Sequence, residues 1–241
     1  MRYLALASDY DGTLAQDGAV DEATIQALER LIHSGRKLVL VTGRELPDLQ
    51  SVFPRLELCA RVVAENGAVL YDPATREKAI LADRPPDSFI DELRKRRVDH
   101  LSVGDVIVAT CHPFEQQVLA AIRDAGLELQ VIFNKDAVMI LPSGTNKMTG
   151  LCAALAELNL SPYNVIGIGD AENDHAFLSG CECSVVVANA IDALKERADF
   201  VTAAARGAGV AELIDKLMEN DAADIATRHK RVSSCCTEFQ S

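Results

Sequence analysis

Apolar residues arrive in short, unbroken blocks along the first third of the chain, separated by stretches with a helical period. Tyr3-Leu4-Ala5-Leu6-Ala7 is one such block, as expected for a strand covered on both faces. Asp21 to Ser34 follows with Ile25, Leu28, Leu31 and Ile32 on one helical face. Asp21 is suited to cap its start and Gly35 to end it. "KLVLV" (37 to 41) predicts a second buried strand, Glu45 to Val52 a short helix, and Arg61 to Ala64 a third strand. "ENGAVLYD" predicts a hairpin, with Asn66-Gly67 supplying the positive φ angles of its turn.

The pattern changes near Ala82, where "DRPPDSF" marks a break. A charged helix (Asp87 to Arg97), a strand (Asp105 to Thr110) and another helix (Pro113 to Ala125) come next. Leu127, Leu129, Val131 and Phe133 then alternate as in a half-exposed strand, and Asn134-Lys135-Asp136 turns into the strand "AVMIL". After Gly144 the first pattern returns: a helix over Asn146 to Leu158, buried strands at "NVIGIG" and "CSVVVAN", and a last helix from about Gly209 to Glu219. Strand-helix alternation predicts an α/β protein, a Rossmann-like parallel sheet with a small α+β module inserted into it. The expected boundaries are 1–82 and 143–219 for the core, 83–142 for the inserted module, and 220–241 for a tail or linker carrying the basic patch "RHKRV".

Composition narrows the partners. The chain has 241 residues, ample for a real core, and a net charge of -12. That charge argues against nucleic acid, whose phosphates are bound by Lys and Arg. No stretch approaches the ~20 apolar residues needed to cross a bilayer, and the N-terminal run is too brief for a signal peptide. The seven cysteines read as reduced, mostly buried thiols of a cytoplasmic protein, and their spacing disfavours structural zinc.

Three expected parallel strands end in chemically loaded turns: "YLALAS" at Asp9, "KLVLV" at Thr42-Gly43-Arg44, and "NVIGIG" at Asp170 within "GDAEND". Ligands bind beyond the carboxyl ends of such strands, so turns remote in sequence would share one rim. Asp9, Asp11, Asp170 and Asp174 would crowd four carboxylates there. Unit charges about 4 Å apart repel by roughly 4 kcal/mol at an effective dielectric near 20. An all-oxygen acidic site suits a hard divalent ion, and Mg2+ also bridges phosphates. Lys147, at an expected helix start, adds a cation where backbone N–H groups also attract anions.

"DYDGTL", "LVTGR", Lys147 and "GDAEND", in that order, resemble the signatures of the haloacid dehalogenase superfamily of phosphohydrolases. The placement of the insert resembles the subfamily with a C2B-type cap, which includes Cof-type and sucrose-phosphate phosphatases and archaeal phosphoglycolate phosphatases. The resemblance implies a Mg2+-dependent phosphatase acting on a small phosphorylated metabolite through an aspartyl phosphate. It makes Asp9 the nucleophile and Asp11 the general acid and base, with the Asp11 backbone carbonyl reaching the metal. It gives Thr42, Gly43, Lys147 and Asn173 to the phosphate, and Asp9, Asp11, Asp170 and Asp174 to the metal. A phosphomutase and a non-catalytic phosphate-binding domain are the alternatives. Two departures stand out: Met148 follows Lys147 where relatives place glycine, and the insert is short.

Overall fold

The computed structural model describes residues 1–134 and 136–227. The core opens with β1 (Ala5–Ser8), α1 (Glu22–His33), β2 (Lys37–Val41), α2 (Leu46–Val52), β3 (Arg61–Ala64), β4 (Val69–Tyr71) and β5 (Lys78–Ile80). The insert supplies α3 (Asp87–Lys95), β6 (Ser102–Val103), β7 (Val108–Cys111), α4 (Glu115–Ala125), β8 (Leu129–Asn134) and β9 (Ala137–Pro142). The chain then returns through α5 (Lys147–Glu157), β10 (Val165–Gly169), α6 (His175–Gly180), β11 (Cys183–Val186), α7 (Asp192–Lys195), β12 (Phe200–Val201) and α8 (Arg206–Asn220).

The first and last groups of strands form one eight-stranded sheet in the order β12-β11-β10-β1-β2-β3-β4-β5. Pairing is parallel from β12 through β3, while β4 and β5 join antiparallel. The chain steps outward from β1 through β2 and β3, then restarts at β10 on the other side of β1. The carboxyl ends of β1 and β10 therefore flank the topological switch point, where open α/β sheets leave a crevice. One face of the sheet (Leu6, Leu38, Leu40, Ile166) is buried under Leu28 and Leu31 of α1 and Leu213 and Leu217 of α8. The other face (Ala7, Val39, Val63) is covered by Leu151 and Leu155 of α5 and by Phe177. Each fully buried aliphatic side chain contributes about 1.5–3 kcal/mol relative to exposure. Asp21 accepts a hydrogen bond from the Thr24 amide, and Gly35 turns with φ +87°, so both ends of α1 follow the expectation.

The insert is a four-stranded antiparallel sheet, order β6-β7-β9-β8, with helices on one face. Phe89, Leu93, Val118 and Ala121 pack from α3 and α4 onto Val108, Val138 and Ile140. The alternate positions Met139 and Leu141 join Val106, Ile107 and Ala68 in a second cluster toward the core. The period-2 reading of this segment is thus realised, and its two faces have different duties.

Several details differ from the expectation. The β3–β4 connection is longer than a two-residue turn: Ala64 pairs with Val69, and Glu65, Asn66 and Gly67 all have positive φ (48°, 57° and 108°). β5 lies outside the expected set of strands, because Lys78–Ile80 is an exposed edge without apolar alternation. The segment after α8 does not fray at once. Ala222 and Ile225 are buried in the core, and Asp221 accepts hydrogen bonds from Arg36 and from the Arg2 amide. Residues 228–241, which carry the basic patch and Cys235-Cys236, lie outside the described residues, as does Lys135. Cys59, Cys111, Cys181 and Cys183 are reduced thiols. Cys152 is disulfide-bonded, a departure from the all-reduced expectation. Among the described residues no helix is long and apolar enough to cross a membrane.

Candidate active site

Asp9 follows β1 directly, and its amide still donates to Ile168 of the neighbouring strand, at 3.0 Å. The turn beyond it is tight: Gly12 sits at φ +88°, and the Tyr10 carbonyl accepts from the Leu14 and Ala15 amides. Thr13 then donates its hydroxyl to Asp170 Oδ1 at 3.1 Å, tying the β1 turn to the β10 turn. A side chain at Gly12 would collide with the Asp170 carboxylate, so glycine leaves room for that acid. On the other flank Thr42, at the end of β2, accepts the Arg44 amide on Oγ1 at 3.1 Å. The three strand ends meet as the sequence predicts.

Lys147 is the first residue of α5, held by a capping box between Asn146 and Thr149. Its side chain is only 1% exposed, and Nζ donates to Asp9 Oδ1 and Asp174 Oδ1, each at 2.6 Å. Burial alone would pull the ammonium's pKa down. The charges of Asp174 and Asp9 outweigh that and hold it well above the usual lysine range. Burial, followed by the charge of Asp174, pushes the Asp9 carboxyl up to about 8, with Lys147 opposing. Gly150 brings the start of α5 against Val63 and Gly67, which a Cβ there would prevent. The close-approach glycine thus lies three positions beyond the lysine rather than directly after it.

Asp9, Asp170 and Asp174 each offer a carboxylate oxygen, and the three oxygens lie within 4.8 Å of one another. With all three acids ionised, the group and Lys147 would carry a net charge of −2 in a buried space, a cost that the raised pKa of Asp9 reflects and that a bound cation offsets. The donor set is all oxygen, which fits a hard divalent ion. The three acids are not equivalent. Asp174 has Oδ1 on Lys147 and Oδ2 accepting from the Asp170 and Ala171 amides at 2.8 and 2.9 Å. Its carboxylate therefore lies within the candidate ligand set while also holding Lys147 and the β10 turn.

Asp11 lines the same cleft as Asp9. Its carboxylate stands outside the buried cluster and faces Arg44 in a two-point ion pair, Oδ2 on Nε at 2.6 Å and Oδ1 on Nη2 at 2.7 Å. Arg44 also reaches Asp48 at 2.6 Å and lies over the Tyr10 ring at 5.6 Å. The Asp11 side chain is thus not placed to share a metal with Asp170, and its acidic neighbours are answered by a guanidinium. Arg44 was visible in "LVTGR", but nothing in that string says where a long side chain turns. Asn173 donates to Asn66 Oδ1 at 3.2 Å, so the Glu65–Gly67 turn also touches the rim.

A cleft of about 520 Å³ lies between this rim and the inserted sheet. Asp9, Asp11, Thr42, Gly43 and Arg44 form its floor, and Ser102, Ile107, Ala109, Asn134, Ala137 and Met139 its roof. A parallel sheet with a buried acid–lysine–acid bridge at its switch point, roofed by an inserted domain, defines a class of hydrolase built to hold a small anion. The model of the haloacid dehalogenase-like hydrolase family matches residues 6–107 and 116–214, and the chain belongs to that family. It is 30% identical to a phosphoglycolate phosphatase of Methanothermobacter thermautotrophicus, over 89% of this chain and 98% of the relative. Among solved structures it is similar to Thermoplasma acidophilum 0175, with TM-score 0.78, 17% identity, and coverage of 90% of this chain and 99% of that one. A sugar phosphatase of subclass IIB of the same superfamily gives TM-score 0.68 at 19% identity, covering 89% and 98%. At these identities the two structures speak for the fold alone.

Proposed function

We propose that the protein is a phosphatase that releases phosphate from a small phosphorylated metabolite through a phosphoaspartate at Asp9. The observation that carries this reading is the buried Lys147 bridge from Asp9, on the cleft floor, to Asp174 behind it. A lysine so enclosed is fixed in place, and it fixes the Asp9 carboxylate with it. Asp9 attacks phosphorus, and the bond from phosphorus to the ester oxygen breaks. The departing oxygen takes a proton from Asp11, which then removes one from the water that cleaves the phosphoaspartate. Thr42, Gly43 and Asn173 surround the phosphoryl oxygens, and Lys147 neutralises part of their charge. A divalent cation, Mg2+ in this proposal, would be held by Asp9, Asp170 and the Asp11 main chain, and would supply shielding of the phosphate charge. Arg44 keeps Asp11 at the mouth of the floor, and its pair with Asp11 has to loosen when Asp11 takes up a proton.

The boundaries 1–82, 83–142 and 143–219 belong to the same proposal, supported by the two separate sheets. A cytoplasmic setting is part of it as well; four reduced thiols favour this, and the disulfide at Cys152 counts against it. Phosphoglycolate and sugar phosphates, hexose phosphates included, lead the substrate panel, because one relative is named a phosphoglycolate phosphatase and one structural neighbour a sugar phosphatase. The test is phosphate release from that panel with and without Mg2+. Metal-dependent turnover that is lost in Asp9→Asn is expected; full activity in that variant would end the proposal.

A further inference from the structure

Glu65 has no part in the chemistry proposed above, yet it is a fully buried carboxylate beside the site. It follows β3 directly, with φ +48°, a conformation that costs a non-glycine residue energy and persists only when its surroundings demand it. Its side chain leaves the core and enters the insert. Oε1 accepts the Asp105 amide at 2.9 Å, and Oε2 accepts the Val106 and Ile107 amides, each at 2.8 Å. Three successive backbone N–H groups around one carboxylate make an anion nest. Here the anion belongs to one sheet and the nest to the other.

The remainder of the turn grips the rim. The Glu65 amide donates to the Arg44 carbonyl and the Asn66 amide to the Thr42 carbonyl, each at 2.9 Å. Asn66 meets Asn173, and Gly67 lies against the Asn146 backbone at the start of α5. Gly104 completes the contact from the insert: a Cβ there would stand 2.6 Å from Glu65 Oε1. Ile107, the last residue of the nest, is part of the cleft roof.

We propose that Glu65 is a positioning residue that fixes the β6–β7 turn of the insert over the cleft and so sets the wall against which the leaving group is read. A plain hairpin needs no buried acid at this place, and a carboxylate serving only the core would not spend both oxygens on the insert. The proposal deepens the phosphatase reading and rests on it where substrates are concerned, but the latch itself can be measured without turnover.

The experiment pairs amide hydrogen exchange with kinetics in Glu65→Ala, Glu65→Gln and Gly104→Ala. Exchange at Val106 and Ile107 is expected to accelerate at least tenfold in Glu65→Ala and Gly104→Ala, with β1 and β10 unchanged. Glu65→Gln keeps one acceptor oxygen and falls between. Loss of the wall removes contacts made equally in ground and transition states, so KM for a hexose phosphate rises at least tenfold while kcat stays within threefold. Acetyl phosphate, whose leaving group is too small to need the roof, shows less than a threefold change in KM. Wild-type exchange at 106 and 107 in both alanine variants would overturn the proposal, as would equal losses on hexose phosphate and acetyl phosphate. If Glu65→Ala does not fold, Gly104→Ala breaks the same contact from the insert and decides the matter. If the wild-type protein cleaves no ester, the phosphatase reading fails while the exchange data still judge the latch.

Discussion

Asp9 and Asp11 leave the same strand two residues apart and end in opposite surroundings. Asp9 is 5% exposed, bridged by an equally buried lysine, and surrounded by Asp170 and Asp174. Asp11 has a side chain 37% exposed at the cleft mouth and is paired with an arginine that shares itself with Asp48. The first arrangement is rigid and short of positive charge: removing Lys147 leaves buried acids unanswered. The second is wet and has a redundant partner, so its members can separate and rejoin at small cost. A nucleophile has to be held in place, whereas a residue that gives a proton and takes another has to reach solvent. The contrast between the two clusters therefore matches the two tasks proposed for them.

The largest effect is expected at the buried cluster. Asp9→Asn removes the proposed attacking oxygen, and turnover should drop by about a thousandfold or more. The same variant tests the electrostatics independently. An acid whose folded pKa lies above its unfolded value near 3.8 leaves the folded, metal-free protein holding more protons than the unfolded chain between those values. Asp9 thus costs stability as pH rises through that window, and an amide in its place does not. Urea melts in chelator should show the Asp9→Asn variant more stable than wild type at pH 8, by about 1 kcal/mol or more, and no gain near pH 3.5. A divalent cation competes with the same protons, so Mg2+ should raise the wild-type midpoint more at pH 8 than at pH 5. Equal shifts at both pH values would mean that no cation binds at Asp9.

Lys147→Met ranks next. It leaves Asp9, Asp170 and Asp174 without a buried cation, and breaking such a pair costs about 3–5 kcal/mol. Activity should fall at least a hundredfold, and high Mg2+ should recover part of the stability but little of the rate. At the half-exposed cluster the balance reverses. Arg44→Gln should lower kcat about tenfold, since Asp11 loses its orienting partner. Its stability cost should stay below about 1 kcal/mol, because the pair is partly hydrated. A stability loss at Arg44 as large as that at Lys147 would erase the distinction between the clusters.

Much of this site was legible in the chain before folding was considered. Asp9 and Asp170 follow unbroken apolar runs, and parallel strands covered on both faces have a known functional end. Lys147 was marked by its place at a helix start. What could not be read was the direction of long side chains. "LVTGR" announces a loaded turn, but only the fold shows that Arg44 turns back to pair with Asp11 on the cleft floor. "ENG" has the composition of an ordinary turn, so Glu65 looked like punctuation; its carboxylate finds the insert only after some forty intervening residues have folded. Asp174 falls in the expected cluster, and spacing alone could not show that its oxygens also hold Lys147 and the Asp170 and Ala171 amides. The edge strand β5 and the packing of Ala222 and Ile225 escaped for lack of period.

The smallest expected effect is also the most discriminating test of the wet cluster. Asp48 lies in the first turn of α2, four residues beyond Arg44, with a side chain 54% exposed, and competes with Asp11 for the guanidinium. Surface pairs of this spacing contribute about 0.3–0.5 kcal/mol, so Asp48→Asn should barely move the melting midpoint. Its consequence should be felt in how Arg44 serves Asp11. With Asp48 neutral the guanidinium pairs with Asp11 alone, so Asp48→Asn should change kcat less than threefold at 50 mM salt and less still at 500 mM (roughly a threefold shorter screening length). Arg44→Gln should then cost at least as much kcat in the Asp48→Asn background as in the wild type. A kcat loss in Asp48→Asn as large as that in Arg44→Gln would mean that Asp48, and not Asp11, holds the guanidinium during turnover.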